Sequence, residues 1–354
     1  MIGAGAIGCL VGGKLALAGE TVTLVGRAHF AEAVAKEGLR LRSAQDEQVI
    51  RTLYAVGNMR DAFATEEAYD LAVLTVKSYD TATALAELND NAPAHQRPAI
   101  LSLQNGVGNE EAIATLWGAE QTIAGTLTTP VSVQGPGQIR IDRPSYTMGI
   151  SPWSPRTSPV LVEATHDALL RAGFKAKRYA HAQGMKWTKL LMNMMGNASS
   201  AILDQPPARL FADNRVVDVE IAAWRETLAV MAASHIPPVT LGSYPFGWLA
   251  PLIRRVPNSL LYGILRRQVS GARGDKLPSL HIDLHQGKRK SEIGWLNGAV
   301  VTRGKAVGVP TPVNAMLTDT VTALMGNPQQ QAIWQGNVAL LAETVGNYKC
   351  ETSR

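Results

Sequence analysis

Cysteine is nearly missing from this chain: its 354 residues include only Cys9 and Cys350, far apart and near the two ends. That excludes a disulfide framework or a cysteine metal site, and a reducing cytoplasm is the expected setting. Long apolar runs are missing too. No stretch approaches the roughly 18 uncharged apolar residues that a membrane span needs. The small, apolar opening has no basic flank and carries Lys14 inside it, so it does not read as a secretory signal. Basic residues outnumber acidic ones, 34 to 29, but they are scattered. No run of them is interleaved with aromatics, which make up only 6% of the chain, so nucleic acid is not an expected partner. An anionic small molecule accounts for the excess equally well.

What is present is a large apolar fraction, 46%, over a length that suits two domains. Residues 1–178 alternate helical and strand-like segments. A helix is expected over Ile7–Ala18, a strand over Thr21–Val25 and a helix around Phe30–Lys36; Asp70–Val76 and Ala99–Leu103 read as buried parallel strands. The pattern predicts an α/β fold with a Rossmann-type doubly wound sheet. Strand-like pieces Thr122–Leu127, Gln138–Ile141 and Tyr146–Ile150, separated by Pro136, Gly137 and Pro144, suggest a meander that closes this domain. Residues 179–354 then change to long helical periodicity over Met185–Leu203, Val216–Ala233, Glu292–Val307, Val313–Leu324 and Gln330–Glu343, an all-helical second domain. The stretch 237–276 looks inserted, as a helical hairpin with a solvated basic edge bearing Arg254, Arg255, Arg266 and Arg267.

The opening residues carry the first motif. Gly3, Ala4, Gly5, Ala6, Ile7 and Gly8 satisfy the G-x-G-x-x-G spacing, which serves a tight turn, close approach of backbone to a pyrophosphate, and close helix packing. A helix and an apolar strand follow, and the strand ends at Val25-Gly26-Arg27, where ribose selection is made. An acidic residue there would grip a 2′-hydroxyl; Arg27 is suited to a 2′-phosphate, so NADP(H) is expected over NAD(H). Only Met1 and Ile2 precede the loop, too few for a full first strand, so the expectation is either a true start upstream or a version that lacks its central strand. If that strand is absent, neighbouring strands lose ladder partners, and low stability with weak cofactor binding is expected.

Three further segments stand out: Thr75-Val76-Lys77-Ser78 after one strand, Leu103-Gln104-Asn105-Gly106 after the next, and Lys189, Asn193 and Asn197 at spacings of four. The spacing predicts an amine and two amides along one face of a single helix, with Leu190, Leu191, Met194 and Met195 arguing for burial. With these motifs the chain resembles the ketopantoate reductase (2-dehydropantoate 2-reductase) family over nearly its whole length, including Ser291-Glu292-Ile293 and Asn297-Gly298. The resemblance implies an NADP-dependent Rossmann domain joined to a helical domain. It implies Lys189 as proton donor, Asn193 and Asn197 as substrate contacts, Asn105 as a contact to cofactor and substrate, and Lys77 and Glu292 beside the cofactor. Ser279 matches the family's substrate-binding serine, although Gly287 to Ser291 is one residue longer than the family's spacing.

The chemistry is coherent in itself. Reducing a 2-keto acid needs a proton for the developing alkoxide, which a positioned ammonium such as Lys189 can stabilise and supply. Glu292 could hold that lysine charged, and asparagine amides can donate to a substrate carboxylate. Two departures fall on the substrate side: Pro207 stands where the family offers another asparagine, and 237–276 exceeds what the family fold requires. The expected function is therefore NADPH-dependent reduction of a 2-keto acid, nominally ketopantoate to pantoate in pantothenate and coenzyme A biosynthesis. The alternatives are a related dehydrogenase of another oxo or hydroxy acid, and an NADPH-binding protein without turnover, against which the retained Lys189, Asn193, Asn197 and Glu292 argue. No metal is expected. His281 and His285 lie four apart with Asp283 between them, but no third ligand is evident and they read as surface or interface histidines. Long apolar helix faces suit either a homodimer or internal core.

Overall fold

The computed structural model describes residues 1–65, 68–94, 97–143, 145–242, 244–272 and 277–352. Pro144, one of the expected strand breakers, and Lys276, the end of the expected insertion, lie outside the described residues. The chain forms two compact units, Met1–Lys186 and Trp187–Arg354, so the division falls later than the expected one after residue 178.

The first unit begins with α1 (Ala6–Leu17), β1 (Thr23–Val25), α2 (Ala28–Glu37), β2 (Leu39–Arg42), β3 (Glu47–Ile50), β4 (Tyr54–Val56), α3 (Met59–Thr65) and β5 (Leu71–Leu74). It continues with α4 (Thr81–Asn91), β6 (Ala99–Ser102), α5 (Asn109–Trp117), β7 (Thr122–Leu127), β8 (Val131–Gly135), β9 (Gln138–Ile141), β10 (Thr147–Pro152), α6 (Pro159–Arg171) and β11 (Lys175–Arg178). Strands β5, β6 and β7 pair in parallel, β10 returns antiparallel to β7, and β11 adds in parallel to β10. Strand β1 pairs in parallel with β4. Ile2 bridges the two groups, pairing in parallel with Val25 on one side and Leu74 on the other. Its neighbours complete the ladder: Ile2 N donates to Val73 O at 2.8 Å, Gly3 N to Val25 O at 3.1 Å and Thr75 N to Ile2 O at 2.9 Å. The position expected of a first strand is thus held by a single bridging residue.

The central strands are aliphatic because both of their faces are covered; Ile100, Leu101 and Leu74 are fully buried. Helix α1 has buried residues on every side for the same reason. Its Leu10 and Val11 join one core with Leu24 of β1 and with Leu39, Leu41, Ile50, Ile139 and Ile141, which belong to a second sheet. That sheet, of order β3-β2-β9-β8, corrects the expected meander: Gln138–Ile141 pairs with β2 and β8, not with the strands before and after it in the sequence reading.

The second unit is helical. Helix α7 (Ala182–Met194) leads into it, followed by α8 (Asn197–Leu203), α9 (Pro207–Leu210) and α10 (Asn214–Ala233). A short hairpin of β12 (Thr240–Leu241) and β13 (Tyr244–Pro245) precedes α11 (Phe246–Arg255) and α12 (Asn258–Ala272). Then come α13 (Ser279–His285), α14 (Asn297–Ala306), α15 (Pro312–Leu324), α16 (Pro328–Trp334) and α17 (Val338–Thr352). Helix α10 supplies the apolar centre with Val216, Val217, Ile221, Trp224 and Leu228. It also supplies Glu226, whose carboxylate accepts from Val313 N and Asn314 N, both at 2.9 Å, at the start of α15. Negative charge suits that helix end, while burial raises the carboxyl pKa against the pull of those hydrogen bonds.

The inserted stretch is the expected pair of helices, but its basic edge is not uniformly solvated. Arg266 donates to Phe211 O at 2.8 Å, Ala212 O at 3.0 Å and Asn214 Oδ1 at 2.6 Å, closing the turn between α9 and α10. No described helix is long and apolar enough to cross a membrane.

Candidate active site

The glycine loop is shaped by contacts that exclude side chains. Gly3 has φ +103°, and a Cβ there would lie 2.7 Å from Val76 N. A Cβ on Gly8 would lie 2.1 Å from Gly3 O, so α1 can start where it does only with glycine at that position. Thr75 Oγ1 fastens the turn by donating to Gly3 O at 2.7 Å. Gly5 differs: it is the exposed N-cap of α1, and a Cβ there would meet nothing within 4 Å. No side chain caps this helix and no acidic residue stands in its first turn, so the backbone N–H groups around Ala4, Ala6 and Ile7 suit an anion. Exposed Arg27, the N-cap of α2, follows β1 after the single residue Gly26. The loop therefore fits a dinucleotide phosphate: open where backbone must approach a ligand, closed elsewhere.

Beside it, the segments after β5 and β6 are sewn together. Ser78 Oγ donates to Asn105 O at 2.9 Å, and Asn109 Nδ2 donates to the same carbonyl at 3.1 Å. Gln104 Nε2 reaches Val76 O at 3.1 Å and Thr81 Oγ1 at 2.8 Å. Lys77 and Asn105, both half-buried, are thus held at the carboxyl ends of adjacent parallel strands, where open α/β sheets bind ligands.

Beneath this turn lies a pair that no sequence motif marked. Lys186 Nζ donates to Gln104 O at 2.7 Å and Gly125 O at 3.3 Å, and lies 2.8 Å from Glu110 Oε1. No periodicity flags a buried ion pair whose partners are so distant in the chain; only the lysine within the apolar start of α7 hinted at it.

The second unit holds the remaining expected residues. Lys189 and Asn193 are half-buried on one face of α7, flanked by buried Leu190, Leu191 and Met194. Asn197 is not on that helix. Gly196 adopts φ +66° and ends the run, so the single helix expected over Met185–Leu203 is two, and Asn197 opens α8. Buried Glu220 secures the break, accepting from Gly196 N at 2.9 Å and from Ser199 Oγ at 2.5 Å. Asn197 Oδ1 accepts from Leu280 N at 3.1 Å, which brings Asn197 beside the start of α13 and its exposed first residue, Ser279. Glu292 is buried on the short 3₁₀ turn Glu292–Trp295. Pro207 is also buried, at the start of α9, against the glycine of the break: a Cβ on Gly196 would lie 3.4 Å from Pro207 Cβ.

Of the two histidines, His285 is exposed as expected and His281 departs from expectation. His281 is 2% exposed, not a surface residue. A third candidate ligand exists as well, since Asp204, far off in sequence, places a carboxylate oxygen among the two imidazoles. Asp283 is turned elsewhere and pairs with Lys288 Nζ at 2.5 Å.

Comparison with known proteins bears on the family and the fold. Residues 1–155 match the family described as ketopantoate reductase PanE/ApbA, and residues 181–325 match its C-terminal region. A 2-dehydropantoate 2-reductase of Pyrococcus horikoshii is 28% identical over 91% of this chain and 96% of its own length. One from Archaeoglobus fulgidus is 27% identical over 91% of this chain and 95% of its own. Among solved structures, a PanE/ApbA family ketopantoate reductase from Ralstonia eutropha superposes with a TM-score of 0.76 at 28% identity, covering 93% of this chain and 98% of that one. D-mandelate dehydrogenase, solved with NADH and anilino(oxo)acetate, shares the fold at a TM-score of 0.76 and 22% identity, covering 92% and 97%. With both halves of the chain matched, the protein belongs to the ketopantoate reductase PanE/ApbA family and is an oxidoreductase of that family.

Proposed function

We propose that this chain is a cytoplasmic NADPH-dependent reductase of a branched 2-keto acid, with 2-dehydropantoate to pantoate, on the route to pantothenate and coenzyme A, as the leading reaction. The observation that carries it is the glycine loop: open at Gly5, closed at Gly3 and Gly8, and followed at the end of β1 by Arg27. In this reading Gly3, Ala4, Gly5, Ala6, Ile7 and Gly8 receive the pyrophosphate, Arg27 pairs with a 2′-phosphate, and Lys77, Asn105 and Glu292 stand beside the dinucleotide. A bound nicotinamide supplies the hydride for the carbonyl carbon. Lys189 supplies the proton to the carbonyl oxygen, and its ammonium stabilises the alkoxide as charge develops. Asn193, Asn197, Asn105 and Ser279 orient the substrate through neutral hydrogen bonds, and Glu292 favours the charged form of the lysine.

A second reading keeps the cofactor and changes the acid. It is favoured by Pro207, a residue without a side-chain donor, buried beside the α7–α8 break. The test is to mix the protein with NADPH and 2-dehydropantoate and follow nicotinamide absorbance. Oxidation supports the leading reading, and oxidation only with other 2-keto acids transfers support to the second. Tight binding of NADPH without turnover on any 2-oxo acid overturns both.

A further inference from the structure

Helices α8 and α13 meet at a cluster that the proposed reaction does not use. His281 and His285 lie four residues apart, which puts both imidazoles on one face of α13; their rings stack with centroids 4.5 Å apart and planes 18° from parallel. Asp204 closes the opposite side. It follows α8 in a left-handed conformation, φ 51° and ψ 48°, one of only two described non-glycine residues with positive φ. That costly backbone turns its carboxylate toward both rings. Its Oδ1 lies 3.2 Å from His281 Nε2 and also meets His285 Nε2. One ligand atom from each of the three residues falls within 4.8 Å of the other two.

The surrounding hydrogen bonds fix which atoms face inward. Ser200 Oγ lies 2.7 Å from Gln205 O and 2.8 Å from His281 Nδ1. A carbonyl only accepts, so the single hydroxyl proton goes to Gln205, and the second contact is made by Nδ1–H donating to Ser200. A neutral His281 then keeps its lone pair on Nε2, aimed at a carboxylate oxygen. Two lone-pair atoms held face to face need a cation between them, either a proton on Nε2 or a metal ion. The carboxylate is oriented as well, by Gln335 Nε2 donating to Asp204 Oδ2 at 2.8 Å. Outer hydrogen bonds of this kind, on the far nitrogen of a histidine and the far oxygen of a carboxylate, are how proteins aim metal ligands.

We propose that Asp204, His281 and His285 form a binding site for a divalent transition metal of the zinc class, which clips the end of α8 to α13. Two imidazoles and a carboxylate are the donors that such borderline cations prefer. Ligands about 2.0–2.1 Å from a tetrahedral centre stand roughly 3.3 Å apart, close to the observed approach of His281 to Asp204; His285 Nε2 lies closer to that oxygen and must swing outward to admit the metal, as its exposed position allows. With His285 and Asp204 partly exposed, the metal can enter from solvent and keep water as its fourth ligand.

The full chain, free of any histidine tag and stripped with chelator, is titrated with Co²⁺ followed by visible absorbance and with Zn²⁺ followed by melting temperature. One equivalent should bind, and Tm should rise by roughly 3 to 8 °C at a hundredfold excess over Kd. His285→Gln, at an exposed position, should leave the metal-free Tm unchanged and weaken binding at least about tenfold. Ser200→Ala, which frees the His281 ring and also removes the hydrogen bond to Gln205 O, should weaken it by about tenfold. Failure of the unaltered chain to bind one equivalent, or an affinity in His285→Gln and in Asp204→Asn equal to that of the unaltered chain, overturns the proposal.

Discussion

Lys186 and Glu110 face each other at 2.8 Å with side chains only 3% and 1% exposed, one on α7 and the other on α5. Two charges leave water here, and their mutual attraction is supplemented by the carbonyls of Gln104 and Gly125. Removing one partner strands the other. Lys186→Met alone should cost about 3–5 kcal/mol, while the double variant Lys186→Met, Glu110→Leu should recover most of that loss. Denaturant unfolding of these two variants and of Glu110→Leu alone checks this; additive losses would mean that the two residues do not act as a pair.

Gly5 and Gly8 belong to one motif but answer to different constraints. Gly8→Ala places a methyl against Gly3 O and should lower Tm along with cofactor affinity. Gly5→Ala meets open space and should leave Tm within about a degree, yet weaken NADPH at least about tenfold if, as proposed, the phosphates approach there. Equal NADPH affinity in Gly5→Ala and the parent chain would remove the loop from the cofactor site.

In the proposed reading, Arg27 is the residue that pairs with a phosphorylated cofactor. Its replacement by Gln should weaken NADPH by roughly 10- to 100-fold, the range of a hydrogen bond to a charged group, and leave NADH nearly unchanged. Fluorescence titration with both nucleotides reads the ratio. Parallel losses for the two would assign Arg27 a structural role.

Lys189→Ala should reduce kcat by about 10² to 10⁴, the usual contribution of a positioned acid, while NADPH affinity stays within about twofold. A near-normal kcat would take the proton-donor role away from this residue.

The parallel strands of the first unit were legible because strands covered on both faces read as aliphatic runs, as Ala99–Ser102 does. The second sheet was not. Its segments Leu39–Arg42, Glu47–Ile50 and Val131–Gly135 are short and interleaved with charged or polar residues, and only pairing across distant parts of the chain makes them strands. Helical periodicity ran straight through Gly196, since apolar residues continue on both sides of it. What breaks the helix is a left-handed φ supported by Glu220, twenty-four positions later in the chain. Asp204 stayed hidden for a similar reason: the histidine spacing was visible, but their common partner comes from another helix end. The glycine loop, by contrast, was readable because its constraints are local, between neighbouring residues and the turn after β5.

Asn197 shows what the break at Gly196 achieves. In an unbroken helix its amide would have both ends free, able to give or to accept. Beginning α8, it spends its oxygen on the backbone N–H of Leu280, and the end it retains is the NH₂. The side chain thus acquires a polarity that amides do not have on their own. Its NH₂ can donate to a group with lone pairs to share, and a single peptide group on α13 sets that orientation.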